Sequence, residues 1–221
     1  LHIFKKNYRL MLKGFFISGT DTDVGKTIVS SILVNKFDAI YYKPIQCGIN
    51  KNGEKDSDFV KKNCKKGTIF KESYFFKNPL SPNIAAKKEG KVIKISKFNE
   101  IKSKKFSKKI IIEGAGGLNV PLNNRYLVVD LIKFFNLPLI LVSKTNLGTI
   151  NHTLLSIELL KQKKINLHGI VFTGEQRKET QETIKKFGQK IYGKKINILA
   201  RIPYKKKLNK SVIDKMKKLF K

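Results

Sequence analysis

The chain has 221 residues, of which 47 are Lys or Arg and 16 are Asp or Glu, giving a formal net charge of +31 with only two cysteines. The excess is dispersed lysine, the only arginines being Arg9, Arg125, Arg177 and Arg201; without clustered arginines or interleaved aromatics this excludes a specific nucleic-acid reader and leaves weak, salt-sensitive adhesion. The length suits one α/β domain, Cys47 and Cys64 lie in no disulfide or zinc spacing, and no apolar run approaches the roughly 18 residues of a bilayer span, so a cytoplasmic protein with reduced thiols is expected.

Residues 1–13 read as an N-terminal extension, with Met11 three residues ahead of the first strand, and 14–221 as a single domain. The first strand, Gly14–Ser18, carries Phe15-Phe16-Ile17 and runs into Gly19-Thr20-Asp21-Thr22-Asp23-Val24-Gly25-Lys26-Thr27. A helix over Lys26–Asn35 follows, and strand, loop and helix in that order are what a phosphate-binding loop requires. Its N–H groups and the helix N-terminus favour phosphate, Lys26 reaches the terminal phosphates, and Thr27 offers a hydroxyl to Mg²⁺. The first glycine stands at Gly19, where GxxxxGK[ST] would have it at Thr20, so five residues separate Gly19 from Gly25.

Strand Asp38–Tyr42 ends at Lys43-Pro44, and a lysine-rich surface turn spans Ile49 to Lys55. Asp56-Ser57-Asp58 opens a helix over Ser57–Cys64, where Asp56 or Ser57 could cap and Asp58 suits the helix dipole. Helices over Ser81–Lys88 and Ser96–Phe106 precede strand Lys109–Glu113, whose β-branched Ile110-Ile111-Ile112 marks a buried central position. Glu113 at its end is a second oxygen ligand for Mg²⁺, and Gly114-Ala115-Gly116-Gly117 lets backbone approach a ligand. Helix Val128–Phe135, strand Pro138–Val142, helix Thr149–Gln162, strand Leu167–Phe172, helix Lys178–Tyr192, strand Ile196–Ile202 and helix Ser211–Phe220 complete the alternation. Within Thr149–Gln162, Ile150, Leu154, Ile157 and Leu160 mark a core face. Such alternation predicts a mostly parallel sheet with helices on both faces, a P-loop NTPase-like α/β fold, with ligands beyond the carboxyl ends of the strands.

The phosphate loop, Tyr42-Lys43-Pro44 with Gly48, Asp56-Ser57-Asp58, Ser81-Pro82, Glu113-Gly-Ala-Gly-Gly117 with Pro121-Leu122, Asn146-Leu147-Gly148 with Ile150-Asn151-His152, and Ile202-Pro203 together resemble the dethiobiotin synthetase family, in order from Gly14 to Tyr204. The resemblance implies ATP-dependent ring closure of 7,8-diaminononanoate with CO₂, through a carbamate and its mixed anhydride with phosphate. It implies ATP binding by Asp23, Val24, Gly25, Lys26, Thr27, Ile28, Asp58, Glu113, Gly114, Ala115, Gly116 and Pro203, with Mg²⁺ held by Thr27, Asp58 and Glu113. Lys26 and Lys43 are the implied catalytic cations, Thr22 and Asn151 the implied substrate contacts, and a homodimer completes the site. Three positions depart from the family pattern: Asp23 replaces the usual glutamate, Cys47 a substrate-contacting Ser or Thr, and Thr173 an asparagine that reads adenine in some members. A partitioning ATPase would carry an extra lysine early in the loop, and positions 20–24 hold none.

Overall fold

A computed structural model describes residues 12–65 and 67–220; the expected N-terminal extension lies almost wholly outside the described residues. In chain order the elements are β1 (Gly14–Gly19), α1 (Lys26–Phe37), β2 (Ile40–Tyr42), β3 (Ile45–Cys47), α2 (Asp56–Asn63), β4 (Ile69–Phe70), β5 (Tyr74–Phe76), α3 (Pro82–Lys88), α4 (Asn99–Lys102), β6 (Ile110–Gly117), α5 (Val128–Phe135), β7 (Leu139–Lys144), α6 (Thr149–Gln162), β8 (Leu167–Thr173), α7 (Lys178–Tyr192), β9 (Ile198–Ile202) and α8 (Lys210–Lys215). Seven strands form one sheet in the order β4-β2-β6-β1-β7-β8-β9, and its pairings are parallel.

Side-chain alternation divides the core between two faces. Phe16, Ile110 and Ile112 point to one, where α5, α6 and α7 contribute Ile132, Ile157 and Ile184. Ile17, Ile111 and Ile140 point to the other, against Val29 and Ile32 of α1 and Ile213 of α8. The Ile110-Ile111-Ile112 run is fully buried because β6 is covered on both faces. This is the expected P-loop NTPase-like architecture.

Several boundaries differ from expectation. Asp38 does not begin a strand: it adopts a left-handed conformation (φ 48°) and closes α1, donating its N–H to the Val34 carbonyl. The helix expected over Ser96–Phe106 is a 3₁₀ turn at Ile95–Phe98 followed by the single turn α4, because only Phe98 and Ile101 are buried there and Ser103 folds its hydroxyl back onto the Asn99 carbonyl. The last helix likewise passes into a 3₁₀ turn at Met216–Leu219. On α6, Ile157 and Leu160 are core, but Ile150 is 37% exposed and lies outside the expected apolar face. Unforeseen are β4 and the pair β3–β5, a small parallel sheet outside the main one.

Candidate active site

Strands β1, β2 and β6 deliver their carboxyl ends to one place. The phosphate loop leaves β1 and closes tightly. A Cβ on Gly19 would lie 2.5 Å from the Val24 side chain and 2.8 Å from the Asp21 carbonyl, so the early glycine in the motif is a steric requirement of this loop. Asp23 (φ 54°) and Gly25 (φ 92°) take left-handed conformations, and Gly25 stands at the N-terminus of α1. The glycine stretch ending β6 lies against the same loop: Gly117 is in register with Gly19, and Gly116 (φ 64°) has space for no side chain beside Val120.

Lys26 is 7% exposed and donates to the Asp21 carbonyl at 2.8 Å. Burial, aided by the neighbouring Lys43 charge, lowers its pKa to about 8. Among the described residues no carboxylate pairs directly with this ammonium, though Glu113, Asp56 and Asp23 act on it through space, and an anion at the loop would raise its proton affinity.

Lys43, just past β2, is 5% exposed and donates to the carboxylates of Asp56 and Glu113, the latter at 3.0 Å. Burial alone would lower its proton affinity, but Glu113 and Asp56 more than offset it and raise the ammonium pKa above the usual lysine value. Burial tends to raise Asp56, yet Lys43 holds it below the ordinary aspartate range. Glu113, fully buried, also accepts from the Thr27 hydroxyl at 2.8 Å on Oε1 and from the Tyr41 hydroxyl at 3.0 Å on Oε2. Thr27, Lys43, Asp56 and Glu113 thus form one contiguous hydrogen-bonded group at the mouth of the phosphate loop.

The structure places Asp58 apart from Thr27 and Glu113, the other residues expected to hold Mg²⁺. Its carboxylate accepts the Lys55 N–H at 3.0 Å, capping α2, and is exposed outside the cluster. The third helical position can reach back to the free N–H groups, whereas the first, Asp56, projects toward the strand ends. Gln46 Oε1 accepts the Asp56 N–H at 3.3 Å, while Glu72 takes the Ser57 hydroxyl and, at 3.2 Å, the Lys55 ammonium. Gln46, Glu72 and Tyr41 were not singled out in the sequence. No spacing rule connects them to the loop; only the packing of β2, β3 and α2 does.

On the other side of the phosphate loop, Asp23, Val24, Gly25, Ile28 and Pro203 line one cavity of about 830 Å³ with Thr173. Gly114 and Ala115 lie on the opposite flank in β6. Thr22 is exposed at the loop tip, and Asn151 is exposed on the first turn of α6. Cys47 is half-buried, and burial pushes its thiol up to about 11, against a smaller opposing effect of Lys43, so it is a neutral thiol at pH 7.

The family described as an AAA domain matches residues 13–212. An ATP-dependent dethiobiotin synthetase BioD of Lawsonia intracellularis is 44% identical over 199 residues, 90% of this chain and 92% of that protein. The corresponding enzyme of Christiangramia forsetii is 44% identical over 83% of this chain and 87% of its own. Among solved structures, a ParA family ATPase from Chlorobium tepidum superposes with a TM-score of 0.54 at 12% identity, covering 93% of this chain and 98% of that one, a likeness of fold alone.

Proposed function

The chain belongs to the ATP-dependent dethiobiotin synthetase family, and from that premise we propose how its own residues divide the work. The reaction is an ATP-dependent ring closure: 7,8-diaminononanoate takes up CO₂ on one amine as a carbamate, and the γ-phosphate of ATP passes to the carbamate. The second amine then attacks the mixed anhydride, closing the cyclic urea of dethiobiotin and releasing phosphate; ADP is the other product.

The observation that carries the assignment is the buried Lys43, fixed by two carboxylates at the mouth of the phosphate loop. Both phosphoryl donor and carbamate are anionic, so the barrier is chiefly charge and alignment. Lys43 brings permanent positive charge to the point where the two meet. Lys26 turns from the Asp21 carbonyl to the terminal phosphates. ATP lies with its base in the 830 Å³ cavity beside Pro203 and Ile28 and its phosphates on the loop N–H groups.

Among the described residues no group of three or more His, Cys, Asp or Glu side chains could hold a metal by itself. Thr27, Asp56 and Glu113 nevertheless supply a hydroxyl and two carboxylates, the oxygen donors that suit a hard cation shared with phosphates. These residues, with Asp56 in the place expected of Asp58, would hold Mg²⁺. The cation would neutralise phosphate charge.

Asn151 and Thr22 contact the diamine substrate in a site completed by a second copy of the chain. What supports this is the surface around Asn151: Leu147 is fully exposed and Ile150 is 37% exposed, apolar area beside a polar site residue. No described helix is long and apolar enough to cross a membrane, and a cytoplasmic location suits a small-molecule synthetase. The direct test is incubation with diaminononanoate, bicarbonate, Mg²⁺ and ATP. Dethiobiotin detected by mass, and abolished in Lys43→Ala with ATP binding retained, is the expected result; dethiobiotin at a near-native rate from Lys43→Ala would overturn the role given to this lysine.

A further inference from the structure

Thr173, the last residue of β8, donates from Oγ1 to the Val24 carbonyl of the phosphate loop at 2.8 Å, across 149 residues of sequence. Its methyl lies 3.1 Å from where a Cβ of Gly25 would stand. Its own backbone is held from both sides: the Thr173 carbonyl accepts the Thr145 N–H at 3.1 Å, and the following Gly174 N–H donates to the Ile202 carbonyl at 2.9 Å. One residue thus ties the phosphate loop through its side chain, and the ends of β7, β8 and β9 through the Thr173–Gly174 peptide.

We infer that Thr173 is a positioning residue for the phosphate loop and not a reader of the nucleotide base, although it lines the base cavity. The inference rests on the reading of Gly19–Thr27 as a phosphate loop. A threonine hydroxyl has one proton to donate, and here it is committed to Val24, so it has no donor left for a base edge, and its oxygen alone cannot form the paired donor–acceptor contact by which an amide reads adenine. A trans peptide is planar, with its C=O and N–H directed oppositely, and no described peptide bond is cis. Holding the Val24 carbonyl therefore also fixes the direction of the Gly25 N–H, a donor at the start of α1. The hydroxyl thereby sets the phosphate cradle, and the methyl covers the glycine that opens the helix.

The test compares binding of inorganic tripolyphosphate, which has no base, with binding of ATP, GTP and CTP. Calorimetry is run on native protein, Thr173→Ser, Thr173→Val and Thr173→Ala, with melting curves to show that each is folded. Thr173→Ser should bind all four ligands as the native protein does. Thr173→Val and Thr173→Ala should weaken tripolyphosphate and every nucleotide alike by about two- to tenfold, the value of one hydrogen bond. ATP weakened with tripolyphosphate untouched would overturn the inference in favour of base reading. Native affinities with only a lowered melting temperature would overturn it in favour of simple packing. A native protein that binds neither tripolyphosphate nor ATP would remove the phosphate-loop reading itself.

Discussion

Asparagine at either aspartate of Asp56-Ser57-Asp58 tests the division of roles within α2. Asp56 shares the buried Lys43 with Glu113, and its carboxylate belongs to the donor set proposed for the cation. Asp56→Asn keeps the shape and removes the charge. The loss of a charged hydrogen bond, about 1.5–3 kcal/mol, corresponds to a fall in turnover of about ten- to a hundredfold if the bond is fully expressed in the transition state. Among the described residues Asp58's hydrogen bond is the cap to Lys55, so Asp58→Asn should cost at most about 1 kcal/mol, about 2–4 °C in melting temperature for a chain this long, with turnover unchanged. Because Lys43 holds the folded Asp56 below its ordinary value of 3.8, its stabilisation is present above that value and lost as the pH falls through the lower folded one. The stability deficit of Asp56→Asn should thus be full at neutral pH and narrow in acid. Dethiobiotin formation measured against Mg²⁺ concentration, with melting curves from neutral to acid pH, reads both effects. Full turnover in Asp56→Asn, with loss in Asp58→Asn, would refute the reasoning.

Lys26 should bind a proton when nucleotide binds near pH 8, because phosphate restores the proton affinity that burial lowered to about 8; calorimetry in two buffers of different ionisation heat should show uptake that Lys26→Met abolishes. In the ligand-free protein the same depressed lysine predicts stability rising between pH 8 and the unfolded value of 10.5, where the unfolded chain binds more protons, and Lys26→Met should flatten that rise. Tyr41→Phe leaves the buried Glu113 Oε2 without its partner and should cost about 1–3 kcal/mol in stability, with a higher Mg²⁺ concentration needed for half-maximal turnover, both read on the folded variant. Leu147→Lys should shift the protein toward monomer in light scattering and reduce turnover, and a dimeric, fully active variant would count against the shared site.

Most of the sheet was legible because its signals are local. Ile110–Ile112 is β-branched and uninterrupted, and the loop after β1 carries glycines where a side chain at Gly19 would meet Val24 and Asp21. Asp38 misled because a polar residue before apolar ones can end a helix as readily as precede a strand; its left-handed conformation decides the matter. The Asp56 and Asp58 roles could not be told apart from the sequence, since both stand in the first turn and the choice turns on which way each carboxylate faces. β3 and β5 are three residues each and pair across 26 intervening positions, too short and too distant for a periodic signal. Tyr41 reads as one more apolar strand residue, and only the parallel register of β2 beside β6 brings its hydroxyl to Glu113.

The strand order puts Lys43, just past β2, and Glu113 of β6 to one side of β1, and the ends of β8 and β9, which wall the cavity proposed for the base, to the other. Under the proposed reading, the Lys43 network and the groups facing the base would therefore occupy separate territories on either side of the phosphate loop. A library confined to Glu175, Tyr204 and Lys205 could retrain the protein toward another nucleoside triphosphate while leaving the Lys43 network as built. The same layout bears on inhibitors: under the proposed reading a compound filling the cavity beside Pro203 would compete for the base, and because Asn146 and Leu147 also line that cavity, one extended along them would approach the surface proposed for the diamine.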